Sequence, residues 1–385
     1  MSEIKTSNWG FPTPTWFGAG RVMDLAAALS SLKASNPLVV TDAGLAPLPV
    51  FHDLCTVLSK AGIRHDVYAN VQPNPTGEDV VGGVALAKEQ GHDAVVIMGG
   101  GSALDAGKAI AFMAGQSRPI WDFEDIGDNW TRGDTSALLP VIAIPTTAGT
   151  GSEFGRASVI TNTEADTHRK VIVYHPTMMP EIVIMDPEVT IGLPPVLTAA
   201  TGMDALSHAL EAYCVDAYHP MSDGLSVQAL KMIKNALPQA VANGADIEAR
   251  SQMLVASGMA CIALQKGLGG MHAISHALGA AYNAHHGMLN AVLMPHVLAF
   301  NHDVISGKLA QLAQDLQVGT EAEDFFAWLK SFRAALNIPD QLAQMGVEVQ
   351  DVGTLAKIAA MDPCAGGNPK RLDAAAAAGI LQAAR

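Results

Sequence analysis

Asp93-Ala94-Val95-Val96-Ile97-Met98-Gly99-Gly100-Gly101-Ser102-Ala103-Leu104-Asp105-Ala106-Gly107-Lys108 passes from an apolar β-rich run, over three glycines, into a helical pattern. A strand that ends on glycines and re-enters as a helix is the elementary joint of an α/β sheet. The same alternation continues outward. Leu38–Asp42 reads as a buried strand, 45–62 as a helix, and 64–71 as a strand closed by the turn Pro73-Asn74-Pro75. A helix over Gly77–Glu89 leads into the quoted stretch, and Leu139–Ile144 is a further strand. Ala157–Thr161, Lys170–Tyr174 and Ile182–Asp186 add three β-rich runs. The strand–helix alternation up to Ile144 predicts a parallel sheet covered by helices.

The pattern changes at Gly192-Leu193-Pro194-Pro195, beyond which Ala-rich helical segments dominate, with loops near 217–223, 266–271, 285–287 and 362–369. The closing Ala374–Ala378 run reads as helix. Two domains are expected, an α/β part over 1–190 and an all-helical part over 191–385, because 385 residues exceed one ordinary core. Apolar residues make up 49% and charged ones 16%, which excludes a disordered chain. A net charge of −14 disfavours nucleic-acid binding, which needs a basic surface. Cys55, Cys214, Cys261 and Cys364 lie far apart without a CxxC pair, so neither a zinc knuckle nor a disulfide framework is indicated. Met1–Trp9 carries no apolar leader pattern and no run is long enough to span a membrane, so a cytoplasmic protein is expected.

Glycines between strand and helix let a ligand approach the backbone, and the helix N-terminus favours phosphate. Gly100, Gly101 and Ser102 are therefore candidates for holding a pyrophosphate, with Lys108 nearby as supporting charge. Asp42, at the end of its strand, suits a ribose diol and repels a 2′-phosphate; a turn or helix-cap aspartate is the competing reading. Pro145-Thr146-Thr147-Ala-Gly-Thr-Gly-Ser-Glu153 closes another strand with hydroxyls and glycines, in the crevice where open α/β sheets bind ligands.

Six of the thirteen histidines fall between His272 and His302. Asp204 and His208 stand four apart on one helix face, His272 and His276 repeat that spacing, and His286 follows. A carboxylate with three imidazoles suits Fe²⁺ or Zn²⁺. His285, His296 and His302 carry no assigned chemistry.

With Gly99–Asp105, Pro145–Glu153, Gly202–Glu211, Gly269–Gly279 and His286–Pro295 in view, the chain resembles the iron-containing (group III) alcohol dehydrogenases over about Phe11–Ala384. The resemblance implies the dehydroquinate synthase-like fold, an α/β dinucleotide-binding domain plus an all-α domain, with the active site between them. It implies metal ligation by Asp204, His208, His272 and His286, and a further histidine, His276, beside the nicotinamide as proton relay. It implies cofactor contacts from Asp42, Asn74, Gly100, Gly101, Ser102, Thr146, Thr147 and Lys170. The expected activity is hydride transfer between a primary alcohol or aldehyde and NAD, with NADP less favoured, assisted by Fe²⁺ or Zn²⁺ as Lewis acid. A homodimer or higher homo-oligomer is expected. Arg156 is open between a cleft residue that selects acidic substrates and a surface or interdomain arginine, and Cys364 is placed as a pocket wall without catalytic work.

Three rivals are weighed. A metal-independent reductase of the maleylacetate reductase type is disfavoured because all four ligand positions hold ligating side chains. A lyase of the dehydroquinate synthase type is disfavoured for want of a Lys/Arg-rich site. A metal hydrolase or binding protein would use the histidines without nicotinamide.

Overall fold

The computed structural model describes residues 13–164 and 169–385; the Met1–Trp9 segment lies outside them. It divides into two compact units. One comprises the described residues up to Thr147 together with Gly151–Gly192; the other comprises Leu193–Arg385 together with Ala148–Thr150.

The first unit is built in chain order from β1 (Thr15–Phe17), α1 (Leu25–Ser31), β2 (Pro37–Asp42), α2 (Pro49–Lys60), β3 (Asp66–Val71), α3 (Gly77–Glu89), β4 (Ala94–Gly99), α4 (Gly101–Met113), β5 (Val141–Pro145), β6 (Ala157–Asn162), β7 (Arg169–Tyr174) and β8 (Ile182–Met185). Six strands form a sheet in the order β1-β8-β5-β4-β2-β3, every pair parallel. All residues of β4, β5 and β8 are buried, as a sheet covered on both faces requires. Gly107 of α4 lets that helix lie tight on the sheet: a Cβ there would sit 2.5 Å from Cγ1 of Ile97 in β4.

The order turns back at β2, with β3 on one side and β4 on the other, so the carboxyl ends of β2 and β4 flank a topological switch point. The β-rich runs at 157–161 and 170–174 stand apart from the parallel sheet and pair antiparallel with each other as a separate ribbon, Thr161 opposite Lys170. One sequence expectation needs correction. The helix expected from 45 begins at Pro49, because Asp42 Oδ1 takes the N–H groups of Gly44 and Leu45 into a turn, 2.9 Å each.

The second unit contains α5 (Pro195–Cys214), α6 (Pro220–Ala242), α7 (Ile247–Ala263), α8 (Gly270–Tyr282), α9 (His286–Asp315), α10 (Ala322–Ala335), α11 (Val352–Met361) and α12 (Ala374–Ala384). Pro295 inside α9 cannot donate to the carbonyl of Ala291; the guanidinium of Arg333 on α10 does so instead, Nε to O 3.0 Å. Two lysines close the end of α5: Lys308 reaches the carbonyls of Tyr213, Cys214 and Val215, and Lys266 that of Tyr213. Among the described residues no single helix is long and apolar enough to cross a membrane.

Candidate metal centre and cofactor cradle

In the first unit, backbone bonds draw the carboxyl ends of the strands together. A register shift between Val40 and Asp42 sets Asp42 apart from the regular β2–β3 ladder. The neighbouring Gly99 admits no side chain: a Cβ would lie 2.5 Å from Ala103 Cβ and 3.6 Å from Asp42 Oδ2. Gly100 caps α4 without a side-chain bond and lies against Thr147, and Thr146 N–H donates to the Gly99 carbonyl at 3.0 Å. The Ser102 hydroxyl donates to the Pro73 carbonyl, one residue before Asn74. Thr161 N–H donates to the Pro75 carbonyl at 2.7 Å, which brings its partner Lys170 to the same turn. The eight cofactor candidates therefore share one end of the sheet. Asp42 shows the turn reading directly, one oxygen holding its own turn, and its other oxygen lies toward Gly99.

Lys108 does not serve that end. Its ammonium is buried and donates to the carbonyls of Ser152 (2.9 Å), Gly155 (3.3 Å) and Ala157. Asp105 accepts from the Ser152 hydroxyl and from Val159 N–H at 2.9 Å, so α4 pins the segment 152–159. Arg156 stands within this pinned segment, at the threshold of β6. Glu153 is fully buried with both oxygens lacking a hydrogen-bond partner, and burial pushes its carboxyl up to about 7.

In the second unit, Asp204, His208 and Glu211 line one face of α5, while His272 and His276 lie on α8 and His286 opens α9. One ligating atom from each of Asp204, His208, His272 and His286 lies within 4.8 Å of all the others. Asp204 Oδ1 is 4.0 Å from His272 Nε2 and 3.7 Å from His286 Nε2. Bonds of 2.0–2.2 Å to a tetrahedral ion would set such atoms roughly 3.4 Å apart, a few tenths of an ångström closer.

The hydrogen bonds fix which nitrogen faces inward. Glu211 Oε2 lies 2.6 Å from His272 Nδ1; a carboxylate only accepts, so Nδ1 carries the proton and Nε2 a lone pair. The Ser275 hydroxyl donates to the His272 carbonyl and so accepts from His286 Nδ1 at 3.3 Å, leaving Nε2 of His286 unprotonated. Asn290 Nδ2 sits where these acceptors converge, 2.8 Å from Asp204 Oδ1, 3.1 Å from His272 Nε2 and 3.2 Å from His286 Nε2, while its own Oδ1 is buried without a partner. Burial pushes His208 down to about 4 against the upward pull of Asp204, which keeps that imidazole neutral, and its Nδ1 is an orphaned buried atom. Burial opposes a charge on His272 as well, but Glu211 prevails and holds it above the ordinary imidazole range. Convergent imidazole nitrogens and a carboxylate fit a divalent metal, whose binding displaces any proton an imidazole carries there.

Glu211, Asn290 and Asp362 received no role from the sequence. Glu211 also accepts from Gly269 N–H (3.0 Å) and Met271 N–H (2.6 Å), capping α8 from a distance. His276 is set apart from the four: its Nδ1 meets Asp362 Oδ2 at 2.9 Å, and its ring stacks on His286 at 5.4 Å. Cys364 is buried beside Asp362, and burial pushes its thiol well up, against any nucleophilic work. His285 caps α9 by accepting from Met288 N–H at 3.4 Å.

The family profile described as iron-containing alcohol dehydrogenase matches residues 12–187, and its C-terminal counterpart, the Fe-containing alcohol dehydrogenase family, matches 198–385. The chain is 38% identical over 374 residues to the NAD-dependent methanol dehydrogenase of Bacillus methanolicus, covering 94% of this chain and 96% of that one. It is 35% identical over 370 residues to the 1,3-propanediol dehydrogenase of Klebsiella pneumoniae, covering 94% of each. Among solved structures, a 1,3-propanediol oxidoreductase superposes with TM-score 0.92 at 34% identity, over 99% of this chain and 100% of that one. An alcohol dehydrogenase from Oenococcus oeni superposes with TM-score 0.91 at 31% identity, over the same shares of each chain.

Proposed function

The chain belongs to the iron-containing alcohol dehydrogenase family and is an oxidoreductase, and from that premise we propose that it interconverts a small primary alcohol and its aldehyde, with NAD(H) and a divalent metal held by Asp204, His208, His272 and His286. The convergence of those four side chains within 4.8 Å carries the proposal. When bound, the metal supplies a Lewis acid for the substrate oxygen and the nicotinamide supplies a hydride acceptor.

The remaining work falls to this chain. Glu211 and Ser275 keep the inner nitrogens of His272 and His286 available, a second layer that raises ligand basicity. Gly100, Gly101 and Ser102 hold phosphate at the start of α4, and Thr146, Thr147, Asn74 and Lys170 border the same end of the sheet. The carboxylate of Asp42 supports NAD over NADP, because a 2′-phosphate beside it is repelled. His276 takes the hydroxyl proton during oxidation. Iron is the metal that the family's description supports, while the ligand set also accepts zinc. The four cysteines form no disulfide among the described residues, which supports a reducing, cytoplasmic setting. The resemblance supports a homodimer, which sedimentation velocity tests.

The deciding experiment assays a panel of alcohols and aldehydes with NAD(H) and NADP(H), using metal-free protein reloaded separately with Fe²⁺ and Zn²⁺. Activity that requires metal and prefers NAD is expected. Full activity in the metal-free protein would overturn the proposal.

A further inference from the structure

Resting on the proposed alcohol–aldehyde chemistry, we propose that Asp362 is a positioning residue: it holds His276 with the proton on Nδ1, so that Nε2 presents a lone pair to the substrate hydroxyl. Three histidine rings of this unit have Nδ1 held by a fixed acceptor: His272 by Glu211, His286 by Ser275 and His276 by Asp362. The Nε2 atoms of the first two converge with Asp204 Oδ1 on Asn290 Nδ2, and that of His276 is not among them. It is the imidazole of the three that is not drawn into the four-residue metal cluster, which leaves its Nε2 for proton transfer.

Asp362 is well suited to the task. It ends α11, and its Oδ1 accepts from Cys364 N–H at 2.8 Å, so its carboxylate plane is fixed while Oδ2 meets the ring at 2.9 Å. Burial alone would raise its affinity for a proton, but His276 and Cys364 hold the carboxyl below the ordinary range, and it stays an acceptor. The far end of the same turn is tied as well. Asn368 Oδ1 accepts from Gly270 N–H at 3.1 Å and from Asn301 Nδ2 at 2.9 Å. Asn368 Nδ2 returns a bond of 2.8 Å to Asn301 Oδ1. The segment 362–368 therefore grips α8 at its first turn and at the histidine one turn beyond His272.

When bound, the nicotinamide would supply the acceptor for the carbinol hydride, and the oxygen–hydrogen electron pair would close the carbonyl. The oxygen–hydrogen bond breaks as its proton forms a new N–H bond at Nε2, and the Asp362 carboxylate, remaining ionised, stabilises the imidazolium. In reduction the same proton returns to the oxygen.

A double-substitution cycle on the full-length, metal-loaded enzyme tests this. Asp362→Asn is expected to lower kcat roughly 10- to 100-fold with KM for NAD and metal content unchanged. In a His276→Ala background the same substitution is expected to cost less than about twofold more, because Asp362 acts through the ring. Equal losses in both backgrounds would overturn the proposal. A readout independent of activity is the tautomer of His276, followed by ¹⁵N-histidine NMR of zinc-loaded protein. The Nδ1–H form is expected in the natural chain and its loss in Asp362→Asn; an Nε2–H form in the natural chain overturns the proposal even where the variant does not fold. The expected tautomer in an enzyme that oxidises no alcohol would support the positioning and reject the activity.

Discussion

Glu211 Oε2 and His272 Nδ1 lie 2.6 Å apart, and the same carboxylate accepts two N–H groups from the first turn of α8. One side chain thus ends a helix and selects a tautomer, so the geometry of a ligand depends on how its helix begins. Glu211→Gln replaces one of the two accepting oxygens by an amide nitrogen, which then faces either the Gly269 and His272 donors or the Met271 donor. Metal retention is expected to fall roughly 10- to 100-fold. Elemental analysis after dialysis against a competing chelator measures it, and unaltered retention would reject the role.

Gly99 touches Ala103 on one side and faces Asp42 on the other. Gly99→Ala is expected to cost about 1–3 kcal/mol through overpacking. The methyl also fills space beside the free oxygen of Asp42, so NADH affinity should fall on the order of tenfold, about 1.4 kcal/mol. Urea denaturation and NADH fluorescence titration read the two effects separately.

The buried carboxyl of Glu153 sets a pH dependence whose sign follows from linkage. Burial raises it from 4.5 to about 7, so below 4.5 both folded and unfolded chains are protonated there and it contributes nothing. Between those values the unfolded chain releases the proton and the folded chain keeps it. Stability therefore falls as pH rises to about 7 and is level beyond. Glu153→Gln is expected to remove this fall and to be the more stable form at pH 8. Urea midpoints collected from pH 5.5 to 8.5 for both proteins decide it; parallel curves would contradict the burial argument.

Lys108 holds three carbonyls with an ammonium of which almost nothing is exposed. Lys108→Met leaves those carbonyls without their donor and is expected to destabilise by about 2–4 kcal/mol. KM for NAD should change less than about threefold, because the charge serves the 152–159 segment rather than phosphate. A large KM effect with unaltered stability would reverse the assignment.

Local pattern carried much of this molecule. The run Asp93–Lys108 exposed the strand, the glycine joint and the helix because each is written within a few neighbouring residues. Asp204 and His208 were legible because four residues make one helical turn. What escaped was set by packing between distant segments. Glu211 meets a histidine 61 positions away and Asp362 one 86 positions away, distances over which periodicity carries no information. Lys108 misled for the opposite reason: it stands close in sequence to the glycine turn, yet its chain turns to carbonyls 44–49 residues on. The three-residue β1, with only its central residue partly covered, was too short to show any alternation.

The turn between Asp362 and Asn368 is moored at both ends to α8. Its length is therefore a fixed gauge: one residue more or fewer between Pro363 and Gly367 forces either the histidine contact or the Gly270 contact to let go. Here the number of peptide units is itself part of the chemistry.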